Sequence, residues 1–216
     1  MKVVEIFESI DGEGIRVGFP VTFIRLYGCN LKCSYCDSRY ACEGDNYQNL
    51  AIEDILSKVH ELGHQLITLT GGEPLIHKDV QFLISALIAE GYKVNIETDG
   101  AVDISSVCKK RQIIITLDYK CPSSGMENRM ILENLDLLRK QDVLKFVVGS
   151  DADLEKAKEI IINHNLEYKC NIYFSPVFGS IDPKRIVEFI LAERLDGVRM
   201  QLQIHKFIWS PDTKGV

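Results

Sequence analysis

With 216 residues, 46% of them apolar and 26% charged, the chain has the size and balance of one soluble globular domain, which excludes a disordered segment. A formal charge of −6 argues against a nucleic-acid surface, which carries a basic footprint, and no apolar run is long enough to cross a bilayer. The opening MKVVEIFES is broken at once by acidic residues and does not read as a signal peptide, so a cytoplasmic protein is expected, where seven cysteines serve as metal ligands or free thiols before disulfides.

Along the chain, β-rich apolar runs alternate with helix-like stretches. Strands are expected at VTFIRLY (21–27), LITLT (66–70), YKVNIET (92–98), QIIITLD (112–118), VLKFVV (143–148), NIYFSP (171–176) and GVRMQLQ (197–203). Helices are expected over 52–63, 78–91, 128–141, 153–165 and 183–194. In the second, Val80, Leu83, Ile84, Leu87 and Ile88 share one face, with Gly91 as a stop signal. Strand–helix repetition with short connections predicts an α/β fold with a parallel sheet. Seven strands are too few for an eightfold barrel, so an incomplete parallel β/α barrel fits best, with a flat doubly wound sheet as the alternative. In either architecture ligands bind beyond the carboxyl ends of the strands. There the sequence places GCNLKC, GGEP, TDG, YKCPSSG and SPVFG, on one rim.

Cys29, Cys33 and Cys36 stand at C-x3-C-x2-C, one ligand short of a structural zinc or an ordinary iron–sulfur site. Cys42 could complete a zinc site. A [4Fe–4S] cluster held by three thiolates would instead leave one iron open, and Tyr35 would set a ring beside it. Gly71-Gly72-Glu73-Pro74 allows close backbone approach after a strand and offers a carboxylate to an ammonium, although Gly and Pro also mark simple turns. GEGIRVG (12–18) has the wrong spacing for a dinucleotide fingerprint.

The triad with an aromatic residue before its last cysteine, followed by GGEP after the next strand, resembles the radical S-adenosylmethionine (SAM) superfamily. EIFESIDGEGIRVGFPVTFIRLYGCN, IETDG (96–100), DYKCPSSG (118–125), LKFVV (144–148) and QIHKFIW (203–209) resemble, more narrowly, the 7-carboxy-7-deazaguanine synthase family. The resemblance implies one radical SAM domain over 1–216, a cluster loop at 28–42 and a substrate-proximal segment at 203–216. It also implies a carbon–nitrogen lyase of queuosine-precursor biosynthesis. Such an enzyme converts 6-carboxy-5,6,7,8-tetrahydropterin to 7-carboxy-7-deazaguanine with loss of ammonia, using a [4Fe–4S] cluster, SAM and Mg²⁺. A homodimer and an electron donor such as flavodoxin are implied as partners, with no membrane and no nucleic acid.

Carried over by position, Cys29, Cys33 and Cys36 would hold the cluster, and Ser38 the Mg²⁺. Tyr35, Asp37, Gly72, Glu73, Asp118, Tyr119, Lys120, Ser175, Pro176, Val177 and Phe178 match SAM-binding positions. Ile10, Asp11, Gly12, Arg25, Thr70, Glu97 and His205 match substrate positions. Each has a plainer role open to it. Arg25 could be an ion-pair partner, Asp11 and Glu13 turn residues, Glu97 a partner for a core cation, His205 a packed histidine and Lys120 a solvated one. Asp11 replaces a glutamine of many relatives, and a carboxylate only accepts hydrogen bonds. Ser38 replaces a threonine of some and keeps the hydroxyl oxygen. Cys42, Cys108, Cys121 and Cys170 show no pairing pattern. A glycyl-radical-enzyme activating protein would share the triad and GGEP, and a non-catalytic electron-transfer module is a third possibility.

Overall fold

The computed structural model describes residues 1–211 and 213–216; Asp212, inside the expected 203–216 segment, lies outside the described residues. Its strands are β1 (Lys2–Ile10), β2 (Pro20–Leu26), β3 (Gln48–Asn49), β4 (Leu66–Gly71), β5 (Lys93–Thr98), β6 (Ile113–Tyr119), β7 (Val143–Val148), β8 (Asn171–Pro176) and β9 (Val198–Met200). The helices are α1 (Ile52–Leu62), α2 (Val80–Ala89), α3 (Asn134–Leu137), α4 (Asp151–Asn163), α5 (Pro183–Ala192) and α6 (His205–Ile208). One sheet runs in the order β3-β1-β2-β4-β5-β6-β7-β8-β9. From β2 through β9 every neighbouring pair is parallel, and β1 is antiparallel to both β2 and β3. β3 and β9 are edges, so the sheet does not close, as the incomplete barrel requires.

Strand parity sorts the side chains into two layers. Ile24 and Leu26 of β2, Ile67 and Leu69 of β4, Val94 and Ile96 of β5, Ile113, Ile115 and Leu117 of β6, and Leu144, Phe146 and Val148 of β7 are fully buried beneath the helices. Val80, Leu83, Ile84 and Leu87 of α2 meet them from outside, on the face their spacing predicts. Each such aliphatic side chain contributes about 1.5–3 kcal/mol by leaving water. The opposite parity carries Phe23, Arg25, Thr70, Glu97, Thr116, Asp118, Lys145 and Val147, and all of these line one cavity. Five strands sharing one cavity means that the sheet curls around it.

The expected helix over 128–141 is mostly absent; only the four residues of α3 are α-helical, preceded by a 3-10 turn at Glu127–Arg129. Ile131 N–H donates to Gly100 O at 3.2 Å instead of within a helix, and the neighbouring anchor is Asn134. Its side chain accepts from Ile104 N–H and donates to the carbonyls of Gly100 and Val102, spending the segment on neighbouring loops. β1 and β3 are additions to the seven expected strands, and the last strand is shorter than 197–203. The loop after β1 fills the lower end of the curl: Arg16 donates to Ile67 O at 3.1 Å and to Asp11 Oδ2 at 2.7 Å. Gln201 closes that loop against the C-terminal side, accepting from Gly14 N–H at 2.6 Å.

Candidate active site

The cavity, about 780 Å³, opens at the carboxyl ends of the strands and contains Cys29, Cys33 and Cys36. Their loop is tied down on several sides. Gly28 N–H donates to Ala41 O at 2.8 Å, Ser34 N–H to Ser124 O at 3.0 Å, and Tyr35 Oη to Val147 O at 3.2 Å. Leu31 N–H points at the Cys29 sulfur, 3.4 Å away. Hydrogen bonding by Cys42 draws Cys36 down to about 6 and also lowers Cys29, while burial pushes Cys33 up to about 11. Cys42 itself is raised, because its proton is shared with those two sulfurs.

These thiols fit a cluster better than a single ion. Among the described residues no three His, Cys, Asp or Glu side chains converge on one metal ion. Tetrahedral zinc holds its sulfurs at about 2.3 Å from a single point; a cubane cluster anchors each thiolate on a different iron. All seven cysteines are free thiols, and Cys42 faces the same cavity as the triad.

The GGEP loop touches the cysteine loop through its backbone. Glu73 N–H donates to Gly28 O at 2.8 Å, and Gly72 N–H to Leu26 O at 3.2 Å. The Glu73 carboxylate faces away from the cavity. It is fully buried and accepts from Leu75 N–H at 2.9 Å, Asp99 N–H at 2.6 Å and Thr98 Oγ1 at 3.0 Å. Burial, then the neighbouring Asp99, raises its pKa well above the usual range. Its role is to fasten the loop after β4 to the loop after β5. Asp99, at the same loop junction, does face the cavity, and its Oδ2 lies 3.7 Å from the Cys29 sulfur.

Deeper in the cavity the charges are paired. Lys145 Nζ lies 3.0 Å from Glu13 Oε2 and 3.6 Å from Asp118 Oδ2, and Lys120 Nζ lies 3.0 Å from the same Asp118 oxygen. Burial opposes charge on both lysines, but the adjacent carboxylates prevail and raise them. Glu13 is lowered because Lys145 and Gln203 outweigh its burial. Glu13 Oε1 and Asp118 Oδ1 are buried with no hydrogen-bond partner among the described residues. Thr70 Oγ1 donates to Glu97 Oε2 at 2.8 Å. Arg25 Nε donates to Glu5 Oε1 at 2.7 Å, so Arg25 is at once an ion-pair partner and a cavity residue. The His205 ring lies over Gly12 so closely that a Cβ there would sit 2.1 Å from Nδ1; burial lowers its pKa.

Of the residues expected at the site, Ile10, Gly12, Arg25, Tyr35, Asp37, Ser38, Thr70, Gly72, Glu97, Asp118, Lys120, Val177, Phe178 and His205 line the cavity with the triad. Five do not. Besides Glu73, Asp11 is buried beneath the floor, held by Arg16 and by Thr68 Oγ1 at 2.7 Å. Tyr119 points the other way, its ring 5.3 Å from that of Phe146, and Ser175 and Pro176 are buried in β8. Lys145, Glu13, Gln203 and Asp99 were not expected. A lone lysine inside VLKFVV was the available signal for the first, and Asp99 stands within IETDG.

A profile of the Radical SAM superfamily matches residues 23–168. A 7-carboxy-7-deazaguanine synthase from Clostridium acetobutylicum is 47% identical over 218 residues, covering 100% of this chain and 99% of that one. The chain belongs to the 7-carboxy-7-deazaguanine synthase family. Another member, from Koribacter versatilis, is 38% identical over 231 residues and is covered end to end, as is this chain. The crystal structure of QueE from Escherichia coli matches with a TM-score of 0.76 over 93% of this chain and 92% of that one; at 24% identity, this is a likeness of fold. The chain is therefore a radical SAM enzyme, a class that works with a [4Fe–4S] cluster and SAM. The synthase likeness reaches beyond 23–168 at both ends, to the SIDGEG loop and the QIHKF segment, which favours this family over an activating enzyme. No helix among the described residues is long and apolar enough to cross a membrane.

Proposed function

We propose that the chain converts 6-carboxy-5,6,7,8-tetrahydropterin to 7-carboxy-7-deazaguanine with loss of ammonia. The observation that carries this reading is a single cavity joining the cysteine loop to a wall of Arg25, Thr70, Glu97 and Glu13. When bound, the cluster and SAM supply a carbon radical that takes a hydrogen atom from the substrate. The protein's own residues orient the two small molecules. Cys29, Cys33 and Cys36 hold the cluster. Asp99, beside Cys29, offers its carboxylate to the SAM ammonium, the role first assigned to Glu73. Lys120 offers charge to the SAM carboxylate, with Tyr35, Asp37, Gly72, Asp118, Val177 and Phe178 around it.

The aminopyrimidine edge of a pterin presents N–H donors, which suit the unpartnered oxygen of Glu13 and the Thr70–Glu97 pair. The substrate carboxylate suits Arg25, whose fork matches it bidentately. Ile10, Gly12 and His205 complete that side. Mg²⁺ takes mostly oxygen ligands and keeps waters; Ser38, whose Oγ donates to Asp37 Oδ1 at 3.0 Å, is the proposed protein contact. The working enzyme is proposed to be a single domain over 1–216 and a cytoplasmic homodimer, reduced by a low-potential donor such as flavodoxin. Free thiols throughout suit a reducing compartment.

One anaerobic assay tests the reading: reconstituted enzyme, reductant, SAM, Mg²⁺ and the carboxytetrahydropterin, with mass detection. The expected product is the deazapurine carboxylic acid with ammonia released. SAM cleavage that leaves the pterin intact under all conditions overturns the substrate assignment.

A further inference from the structure

Glu5 does not line the cavity, yet it governs a residue that does. It stands opposite Arg25 in the β1–β2 register. Its Oε1 accepts twice, from Arg25 Nε at 2.7 Å and from Tyr40 Oη at 2.7 Å. The guanidinium carbon lies 5.8 Å from the centres of both the Phe7 and Tyr40 rings. Phe7 is in turn stacked on Phe23, with centroids 5.0 Å apart and planes within 9°. The guanidinium is thus gripped at its Nε edge and flanked by two rings. Among the described residues neither terminal nitrogen of Arg25 donates to a protein acceptor. The unused edge belongs to a side chain on the cavity wall.

We propose that Glu5, locked by Tyr40, is a positioning residue that aims the free fork of Arg25 at the substrate carboxylate and so sets the preference for a carboxylated substrate. This rests on the Arg25–carboxylate contact proposed above. An arginine left to itself samples many rotamers, and fixing one on binding costs affinity; a guanidinium held beforehand avoids that loss. Precision of this kind comes from a supporting contact on a rigid element, and β1 provides one. Glu5 also compensates the largely buried cation, whose side chain is 14% exposed. Charge compensation alone, however, would not require the acceptor oxygen to stand at the Nε edge, nor a hydroxyl to fix it there.

The test compares Glu5→Ala, Glu5→Gln, Tyr40→Phe and Arg25→Lys in cluster-loaded enzyme with SAM, reductant and the carboxytetrahydropterin. Glu5→Ala should raise KM about tenfold while changing kcat less than about threefold, the pattern of lost ground-state and transition-state binding alike. Iron content and SAM affinity should stay at wild-type values. Glu5→Gln keeps an oxygen for both donors and should remain within about threefold of wild-type KM. If Glu5→Gln is as impaired as Glu5→Ala, charge rather than position matters and the inference is overturned. Should Glu5→Ala fail to fold, Tyr40→Phe carries the test: it removes only the hydroxyl that fixes Glu5 and should raise KM about threefold or more. A raised KM in Arg25→Lys with unchanged KM in Glu5→Ala or Tyr40→Phe overturns the role of Glu5 alone. Unchanged KM in Arg25→Lys removes the carboxylate contact itself.

Discussion

Gly72→Ala is the substitution for which the geometry is most demanding. A Cβ at Gly72 would lie 2.1 Å from Gly28 O, 2.6 Å from Gly28 C and 2.9 Å from Cys29 Cβ. These are backbone and root atoms of the cysteine loop, and none can swing aside. The Gly28 carbonyl is also held by Glu73 N–H at 2.8 Å, so retreat breaks a buried hydrogen bond. Losing that bond costs about 0.5–1.5 kcal/mol, and forcing a methyl into packed structure about 1–3 kcal/mol. A destabilisation of about 2–4 kcal/mol is therefore expected, with the cysteine loop displaced. Urea unfolding of the cluster-free chain measures the first quantity; iron and sulfide per chain after anaerobic reconstitution measure the second. Gly44→Ala is the control. Nothing lies within 4 Å of its Cβ position, and only its φ of +77° opposes the change, so it should cost about 1–2 kcal/mol and leave cluster loading intact. A Gly72→Ala protein as stable as wild type with full iron content would refute the claim that the two loops are built on this contact.

In the cluster-free chain, Cys36, drawn to about 6, should be alkylated by iodoacetamide at pH 7.5 well before the buried Cys33 at about 11, a difference readable by peptide mass mapping. Cys42→Ala should move the half-point for Cys36 upward; equal labelling of both cysteines contradicts the assigned environments. Asp11 is raised from 3.8 to about 6 by burial, against the pull of Arg16 and Thr68. A raised folded pKa gives stability that is full below the unfolded value and lost as pH climbs through the folded one. Relative to Asp11→Asn, the wild type should thus lose on the order of 2–3 kcal/mol between pH 4 and 7, and parallel pH curves for the two proteins refute this. Ser38→Ala should lower turnover and shift its Mg²⁺ dependence with iron content unchanged, and partial rescue by excess metal is expected; identical Mg²⁺ titrations remove Ser38 from the metal site.

The wall of the site was legible wherever strand periodicity and chemistry coincided. Arg25, Thr70, Glu97 and Asp118 fall on one parity of their strands, beyond which the special loops gather, so their common cavity follows from period-two alternation. The same reasoning reaches Lys145, because a charge inside a strand as apolar as VLKFVV must have a partner. What stayed hidden depends on local direction. SIDGEG contains two carboxylates, and nothing in its composition says that Asp11 turns down to Arg16 while Glu13 turns toward Lys145. GGEP likewise gives no warning that its glutamate folds back onto Thr98 and Asp99. In the 128–141 stretch leucine spacing suits a helix, whereas the bonds from Ile131 N–H to Gly100 O and from the Asn134 side chain to Gly100 and Val102 are made to segments distant in sequence.

The charges of the cavity also explain how such a site stays folded before any ligand arrives. Burying six ionised groups would cost several kcal/mol each if they stood alone. Here each leans on a neighbour: Glu5 on Arg25, Glu13 on Lys145, and Asp118 on both Lys145 and Lys120. Two of the pairs are carried by adjacent strands: Glu5 and Arg25 are in register across β1 and β2, and Asp118 and Lys145 across β6 and β7. Strands hold such atoms to smaller tolerances than loops. Pairing leaves an edge unused on three of them: the terminal nitrogens of Arg25, Oε1 of Glu13 and Oδ1 of Asp118. Those edges are both the unsatisfied remainder of the folded protein and the features a polar heterocycle with a carboxylate can satisfy. In the proposed function, substrate binding would complete these hydrogen bonds, whose protein half is already oriented and desolvated, with little reorganisation.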